Sequence, residues 1–186
     1  VGDNVVTNFF DGFRLDKAGN FQNVKIVEPS SFEWLNFQEI ESKFDIHASS
    51  YAAQYGDSLG KPFRSWWQVN TTLEDLDTHL LHYVKVPPNE IVIDFDIHDE
   101  SGEKSLSKNI EAASKFPPTY AELSQSGAGI HLHYFYDGDP EKLEKIYDDK
   151  GEIEIKVYTG NGSLRRKLTL CNDLDISTIS SGLPLK

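Results

Sequence analysis

The sequence predicts a mixed fold, α+β or mixed α/β, in one domain or in two small lobes that share a core. Several segments alternate apolar and polar residues at strand spacing, and others repeat apolar residues at helical spacing. The two kinds of segment interleave in the middle of the chain, and two strands follow near its end. With 186 residues, of which 38% are hydrophobic, the chain is large enough to bury a core.

The first half of the chain has the weaker patterns. A short strand is predicted at "NVKIVEP", and residues 31–45 have apolar side chains at mostly helical spacing. Residues 60–70, "GKPFRSWWQVN", predict an extended aromatic stretch. A firmer helix is predicted over 71–86, because Thr71 and Glu74 fit a capping box and leucines follow at helical spacing.

The second half has clearer signals, with β-prone runs separated by turn residues and by one helical pattern. Paired prolines end that helix, and the aspartate–proline step favours a helix start. The predicted elements, in order, are a strand at 91–96, a helix at 104–116, strands at 119–124 and 130–136, a short helix from Asp139 to about Tyr147, and a hairpin of 152–159 with 164–170.

Composition narrows the classes of function. The formal net charge of −12 opposes nonspecific binding of nucleic acid, because the average field repels phosphate. A single cysteine, Cys171, excludes a disulfide framework and a cysteine zinc site within the chain, and it favours a reducing compartment such as the cytoplasm. No apolar run is long enough for a membrane span, and the N-terminus lacks a signal-peptide pattern. Because the sequence contains no methionine, we expect it to be excised from a longer protein.

Two carboxylates in "IVIDFD" share one face of the predicted strand. Residues two apart point the same way, so Asp94 and Asp96 lie about 6–7 Å apart at their Cα atoms, opposite an apolar face. Two ionised carboxylates at this spacing repel each other, and a divalent cation removes the conflict. Oxygen donors suit Mg²⁺ or Mn²⁺. A solvated edge strand would have the same pattern.

The second polar motif is a glycine-rich turn followed by a histidine strand, "SGAGIHLH". Gly127 and Gly129 allow a tight turn whose backbone can approach a phosphate. His131 and His133 follow on one strand face, where a histidine can donate to a phosphate oxygen or bind a metal. A hairpin turn with half-buried histidines is the structural alternative.

The third motif is "IEIKVY" and the basic run after it. Glu152, Glu154 and Lys156 share one face of the predicted strand, and "RRK" at 165–167 follows on the next strand. Such a pairing is often only a cross-strand ion pair. The three motifs together fit two-metal phosphoryl transfer better, since that chemistry needs carboxylates for two cations and cationic donors for a triphosphate.

These motifs resemble, in type and order, those of the archaeo-eukaryotic primase superfamily, especially the primase-polymerase (PrimPol) modules of phages and plasmids. "IVIDFD" is similar to the family's strand ending in Asp-x-Asp, "SGAGIH" to its turn and histidine strand, and "IEIKVY" to the strand with a third acid. The resemblance covers residues 88–170, about half of the chain.

The resemblance implies a two-lobed primase-polymerase fold, in which an RRM-like antiparallel sheet within 88–186 carries the catalytic acids and 1–87 form an N-terminal α/β lobe. It implies a template-directed DNA primase or polymerase with two Mg²⁺ or Mn²⁺ ions. Glu154 is the preferred third acid and Glu152 its competitor. The implied catalytic residues are Asp94, Asp96, Glu154 and His131, with the three acids as metal ligands. The implied nucleotide-binding residues are Ser126, Gly127, Gly129, His131, Arg165, Arg166 and Lys167.

Further expectations follow from the same resemblance. The substrates would be NTPs or dNTPs with a single-stranded DNA template and primer, and a helicase, fused or separate, is an expected partner. The cell would be bacterial or phage-infected. Lys61 and Arg64 are candidate nucleotide or template contacts, although a structural aromatic strand also explains their segment. His133 is an additional histidine without a role, and the zinc-binding cysteines of some relatives are absent.

Three other functions fit parts of the pattern. A cupin-type metal site would use the His131-x-His133 pair, but the glutamate expected a few residues later is absent, and helices suit a small barrel poorly. A catalytically silent replication module would bind nucleic acid or nucleotide without turnover. A nuclease could use the same carboxylates and would shorten the strand instead of extending it.

Overall fold

The computed structural model describes residues 12–15, 21–24 and 33–186. This part of the chain is a mixed α+β structure of antiparallel sheets with few helices, which confirms the predicted class. Most of the predicted strand at "NVKIVEP", residues 25–29, lies outside the described residues, as do residues 31 and 32 of the first predicted helix.

Short strands and two short α-helices make up the fold. The strands are β1 Gly12–Leu15, β2 Phe21–Val24, β3 Ala53–Tyr55, β4 His82–Val84, β5 Glu90–Phe95, β6 Ala121–Leu123, β7 Ile130–Tyr136, β8 Ile153–Lys156, β9 Leu164–Arg166 and β10 Ser177–Ile179. The α-helices are α1 Lys43–His47 and α2 Leu106–Ala113, and single 3₁₀ turns occupy Trp66–Gln68, Leu73–Asp75 and Pro140–Lys142.

The main sheet is built around β5, which pairs antiparallel with β7 on one side and β8 on the other. The far edge of β7 pairs antiparallel with β6 along its first half and parallel with β10 along its second half. A second sheet has the order β3-β4-β9 and is antiparallel throughout. β1 and β2 form a separate antiparallel pair.

One face of the main sheet forms the larger hydrophobic core. Because strand side chains alternate between faces, every second residue of β5, β7 and β8 packs on this side, and α2 covers it. The buried strand residues of this face are Ile91, Ile93, Phe95, Ile130, Leu132, Tyr134, Ile153 and Ile155. The remaining side chains of these strands, including the predicted acids, therefore lie on the opposite face.

The opposite face is partly covered by the second sheet. Val92 of the main sheet packs in one cluster with Val84 of β4, Leu164 of β9 and Phe44 of α1. Since β9 belongs to the second half of the sequence and pairs with β4 from the first half, the two halves share this sheet. The face left uncovered contains the candidate site.

Two predicted elements are wrong in type or partner. Residues 71–86 are not a helix, because the capping box is formed by Thr72 and Asp75 around a single 3₁₀ turn, and the buried residues 82–84 pair as β4 between two strands. The predicted hairpin is also wrong. Instead, β8 pairs with β5 and β9 pairs with β4, so each strand buries its apolar face against a different partner.

Two further predicted helices are much shorter in the structure. Within 31–45, the α-helix begins only at Lys43, where the Ser42 side chain accepts a hydrogen bond from the Asp45 N–H. The segment after Asp139 is a 3₁₀ turn over Pro140–Lys142. The predicted helix at 104–116 is confirmed as α2, and the strand at 130–136 is confirmed with the predicted bounds. None of the described helices is long and apolar enough to cross a membrane.

Candidate active site

Three predicted site residues form a single row across three adjacent strands. Asp94 of β5 pairs in register with His131 of β7 on one side and with Glu154 of β8 on the other. Partners in register point to the same face, so three side chains from segments far apart in sequence lie next to one another. Glu122 of β6 pairs with His131 and extends the row toward the second sheet.

Asp94 lies at the centre of this row and contacts a histidine ring on one side and a lysine ammonium on the other. Its Oδ1 is 3.2 Å from Nε2 of His131, and its Oδ2 is 3.0 Å from Nζ of Lys156. Burial raises the pKa of the Asp94 carboxyl, but the His131 and Lys156 contacts outweigh it, and the net pKa is lowered to about 2. The carboxylate is therefore ionised at neutral pH.

Lys156 is shared between two carboxylates. Its ammonium also lies 3.6 Å from Oε1 of Glu154, on the same strand. Desolvation lowers the pKa of Lys156, whereas Asp94 and Glu154 raise it, and the net pKa is raised. Glu154 is therefore connected to Asp94 through one cation.

Asp96 lies one step beyond the end of β5. Its N–H donates to the carbonyl of Glu152 at 2.8 Å, and its Oδ1 is 3.1 Å from Nζ of Lys104. Glu152, the competing third acid, instead accepts a hydrogen bond from the N–H of His98 at 3.0 Å. The structure thus places Glu154, not Glu152, beside Asp94.

The glycine-rich turn forms one wall of the site. The Ser124 hydroxyl accepts from the N–H of Gly129 at 3.0 Å, and the Ser126 hydroxyl accepts from the N–H of Ala128 at 3.3 Å. Gly127 has a φ of +80°, which favours glycine. A Cβ on Gly129 would lie 2.7 Å from Ser124 Oγ and 3.0 Å from the carbonyl of Phe95, so this position also requires glycine.

A buried asparagine of α2 ties the turn to the end of β5. Asn109 accepts from the N–H of Ile97 at 2.9 Å through its side-chain oxygen and donates to the carbonyl of Ala128 at 2.8 Å through its nitrogen. The side chain is fully buried. The helix therefore fixes the spacing between the Asp96 segment and the turn.

An open cleft of about 480 Å³, a volume in the range of small-ligand sites, is lined by Asp94, Asp96, His131, Lys156 and part of the glycine-rich turn. Two predicted site residues, Glu154 and Gly127, are not among its lining residues. Basic side chains of β9 and of the residue that follows it line the side of the cleft that the second sheet forms. The lining residues that matter for chemistry are Asp94, Asp96, Lys104, Glu122, Ser126, Gly129, His131, Lys156, Arg165, Arg166 and Lys167.

The three basic residues of "RRK" differ in what they contact. Arg165 is exposed at the cleft and Lys167 is half-buried there, so both can reach a ligand. Arg166 is buried, and its guanidinium donates to Glu122 at 3.0 and 3.1 Å and lies 2.6 Å from Asp45. Its charge is already balanced by these two carboxylates.

Arg166 is the centre of a buried polar cluster below the cleft. Its Nη1 is 3.2 Å from Nε2 of His82, whose Nδ1 is 2.7 Å from the carbonyl of Leu80. Because a carbonyl only accepts, His82 carries its hydrogen on Nδ1 and accepts from Arg166 through Nε2. Burial and the neighbouring guanidinium lower the pKa of His82, consistent with a neutral ring.

The second histidine of the "IHLH" segment belongs to this buried cluster and not to the cleft. His133 is buried, its ring packs on Phe44 and Tyr120, and its Nε2 is 3.9 Å from Oε2 of Glu122. Burial lowers its pKa. His131 and His133 share a strand face as predicted, but only His131 lines the cleft.

The two candidate nucleotide or template contacts from the first half of the chain lie outside the cleft. Lys61 and Arg64 are exposed and do not line the cleft. Their segment is a hydrogen-bonded loop leading to the 3₁₀ turn at Trp66–Gln68, not a strand.

Within the described part of the chain, no group of three or more His, Cys, Asp or Glu side chains is arranged to hold a metal ion. Two of the predicted metal ligands, Asp94 and Glu154, nevertheless lie on either side of a cation. This cation is the Lys156 ammonium, 3.0 Å from Asp94 and 3.6 Å from Glu154. The donors at this position are carboxylate oxygens, which suit Mg²⁺ or Mn²⁺. Asp96 lines the same cleft, where its carboxylate contacts Lys104.

Several residues of the site were not predicted. Glu122 is a charged residue in the short apolar strand "TYAELS", and that mismatch is a signal from which it could have been found. For Lys156, the sequence predicts only that its side chain shares a strand face with Glu154. Lys104 and Asp45 carry no signal in the sequence, since their contacts depend on chain segments brought together by the fold.

In comparisons with known proteins, the chain matches no protein-family model, and no curated protein matches it. A functional assignment therefore depends on the sequence motifs and on the geometry of the cleft.

Proposed function

We propose that this chain is a template-directed nucleotidyltransferase of the primase-polymerase type, which forms phosphodiester bonds from NTPs or dNTPs on a single-stranded DNA template. The observation that carries the proposal is the row of Asp94, His131 and Glu154 across three paired strands. This register supports the proposal, because it brings together one residue from each of the three sequence motifs.

The proposal includes a two-lobed primase-polymerase fold with an RRM-like catalytic sheet. An antiparallel sheet that carries the acids on its central and outer strands supports an RRM-like catalytic portion. The second sheet, with β3 and β4 from the first half of the chain, would supply the other wall of a two-lobed primase-polymerase fold.

Asp94, Asp96 and Glu154 are the residues that would hold two Mg²⁺ or Mn²⁺ ions. When bound, such ions lower the pKa of an attacking 3′-hydroxyl and offset charge on the leaving pyrophosphate. Asp94 contributes an ionised carboxylate at neutral pH, because its pKa is lowered to about 2. Lys156 supplies positive charge between the carboxylates and would compete with a divalent ion for them.

The other cleft residues would bind and orient the nucleotide. Ser124 and Ser126 of the glycine-rich turn and the His131 ring line one wall, while Arg165 and Lys167 line the opposite side. Such fixed donors can hold a triphosphate in line for attack. We assign the phosphate role to Arg165 and Lys167 and not to Arg166, because Arg166 is buried between Glu122 and Asp45.

A primer-extension assay with Mn²⁺ or Mg²⁺ tests this function. Asp94→Asn keeps the size of the side chain and removes the central charge, so we expect nucleotide incorporation to fall by at least about a thousandfold. Asp149→Asn makes the same chemical change at an exposed turn residue and should leave incorporation unchanged.

Equal incorporation by the parent protein and Asp94→Asn would refute the assignment of the site. Metal-dependent shortening of the primer would indicate a nuclease with the same carboxylates. Binding of DNA or nucleotide by the parent without any incorporation would indicate a silent replication module.

A further inference from the structure

A second surface outside the cleft combines exposed rings with positive charge. Phe63 and Trp67 are 64% and 84% exposed, and the aliphatic Leu59, a few residues earlier in the chain, is 79% exposed. Large apolar side chains grouped on a surface are typical of a site that contacts another molecule. The name aromatic platform is used for Lys61, Phe63, Arg64 and Trp67.

The backbone that carries the aromatic platform is held in place by hydrogen bonds. The Gln54 side chain accepts from the N–H of Arg64 at 2.6 Å and donates to the carbonyl of the same residue at 2.9 Å. Asp57 accepts from the N–H groups of Leu59 and Lys61 at 2.8 and 2.9 Å. The Tyr83 hydroxyl donates to the carbonyl of Gly60. The backbone that carries Lys61, Phe63 and Arg64 is therefore held in one conformation, which reduces the entropy lost on binding.

Positive charge next to the rings selects among possible ligands. Lys61 and Arg64 are both exposed, and the Arg64 guanidinium lies 5.6 Å from the centroid of the Phe63 ring. Rings with adjacent cations are the elements with which proteins bind single-stranded nucleic acid, since bases stack on the rings and phosphates meet the cations. An apolar protein partner would not require the cations.

The platform also adjoins the cleft. A Cβ built on Gly60 would lie 3.9 Å from Nη2 of Arg165, and Arg165 lines the cleft together with Lys167. Basic side chains thus continue from the cleft to the loop that carries the rings. Next to Phe63, a recess of about 480 Å³ lined by Tyr55 and Asn70 has room for an unstacked base.

We propose that the aromatic platform binds single-stranded nucleic acid, with bases stacked on Trp67 and Phe63 and phosphates contacting Arg64 and Lys61. Its identification as the template strand rests on the proposed function, whereas the binding itself does not require turnover. The net charge of −12 disfavours the binding of a polyanion to the chain as a whole, and this surface would supply a local site where a polyanion can bind.

Fluorescence anisotropy with labelled oligo(dT) at low salt tests this proposal without nucleotide or metal. Trp67→Ala should raise the Kd at least about fivefold, the lower end of the range for loss of one base–ring stack. Leu59→Ala is the matched control, because it removes exposed apolar surface from the same loop without removing a ring. Arg64→Gln should reduce the slope of log Kd against log salt by about 1.

Absence of oligo(dT) binding by the parent, or an equal Kd for the parent and Trp67→Ala, would overturn the proposal. A loss of affinity with Leu59→Ala equal to that with Trp67→Ala would also overturn it, because an apolar contact would then explain the surface. If Trp67→Ala binds weakly but the parent incorporates no nucleotide, the platform stands and the proposed function fails. If the parent incorporates nucleotide and Trp67→Ala binds normally, only the platform fails.

Discussion

Two clusters on the same side of the main sheet each place one cation between two carboxylates, but they differ in exposure. In the buried cluster, Arg166 lies between Glu122 and Asp45, and its side chain is 1% exposed. In the cleft, Lys156 lies between Asp94 and Glu154, and its side chain is 43% exposed. Along the row of paired residues, Glu122 and Asp94 are separated only by His131.

This difference separates a charge cluster held by many partners from one that solvent can reach. The Arg166 guanidinium donates to Glu122, Ser42 and Tyr120, so its geometry is fixed by several partners. The Lys156 ammonium is a flexible point charge that is partly open to solvent, and the proposed function requires that a metal ion can replace it. Similar composition therefore gives a buried ion cluster with fixed geometry below the cleft and a solvent-accessible ion cluster at the cleft.

The largest expected effect is the loss of the buried cation. Arg166→Met leaves the buried Glu122 and the half-buried Asp45 without their positive partner, so we expect the free energy of unfolding to fall by about 3–5 kcal/mol. Chemical denaturation monitored by tryptophan fluorescence measures this. Arg165→Met, on the same strand but exposed, should change stability by less than about 0.5 kcal/mol. Equal stability of the two variants would contradict the distinction between the clusters.

A smaller effect is expected in acid. Burial raises the pKa of Glu122, but Arg166 and His133 outweigh it, and the net pKa lies well below the ordinary value of 4.5. A lowered folded pKa stabilises the protein fully above the unfolded value, and this contribution is lost as the pH falls further. The free energy of unfolding of the parent should therefore drop more steeply below pH 4.5 than that of Glu122→Gln.

The acid titration compares two proteins that share all other carboxyl groups, so the difference between their curves isolates Glu122. We expect the two curves to converge by about 1–3 kcal/mol between neutral and strongly acidic pH. Parallel curves would show that the Glu122 carboxylate gains nothing from Arg166.

Period-two alternation was sufficient to predict which residues share a face. It placed Asp94 opposite an apolar set and joined Glu154 to Lys156. The strand at 130–136 was predicted with its correct bounds from a β-prone aromatic run that follows a glycine turn. Register could not be predicted in the same way. That Glu154 and not Glu152 pairs with Asp94 depends on how β8 aligns with β5.

Long-range pairing explains the elements that local patterns predicted wrongly. Residues 71–86 have helical spacing, yet the burial of residues 82–84 between β3 and β9 outweighs that preference. The burial of Arg166 could not be predicted from local patterns either, because its partner Asp45 lies in α1, more than a hundred positions earlier in the sequence. A basic run predicts charge but not which of its members is buried.

The most direct measurement is a Mn²⁺ titration followed by electron paramagnetic resonance, without nucleotide or DNA. If the cleft carboxylates hold an exchangeable cation, the parent should bind Mn²⁺, and Asp94→Asn should weaken that binding by at least about tenfold, while the exposed control Asp149→Asn should not. Equal Mn²⁺ affinity in the parent and Asp94→Asn would contradict the account.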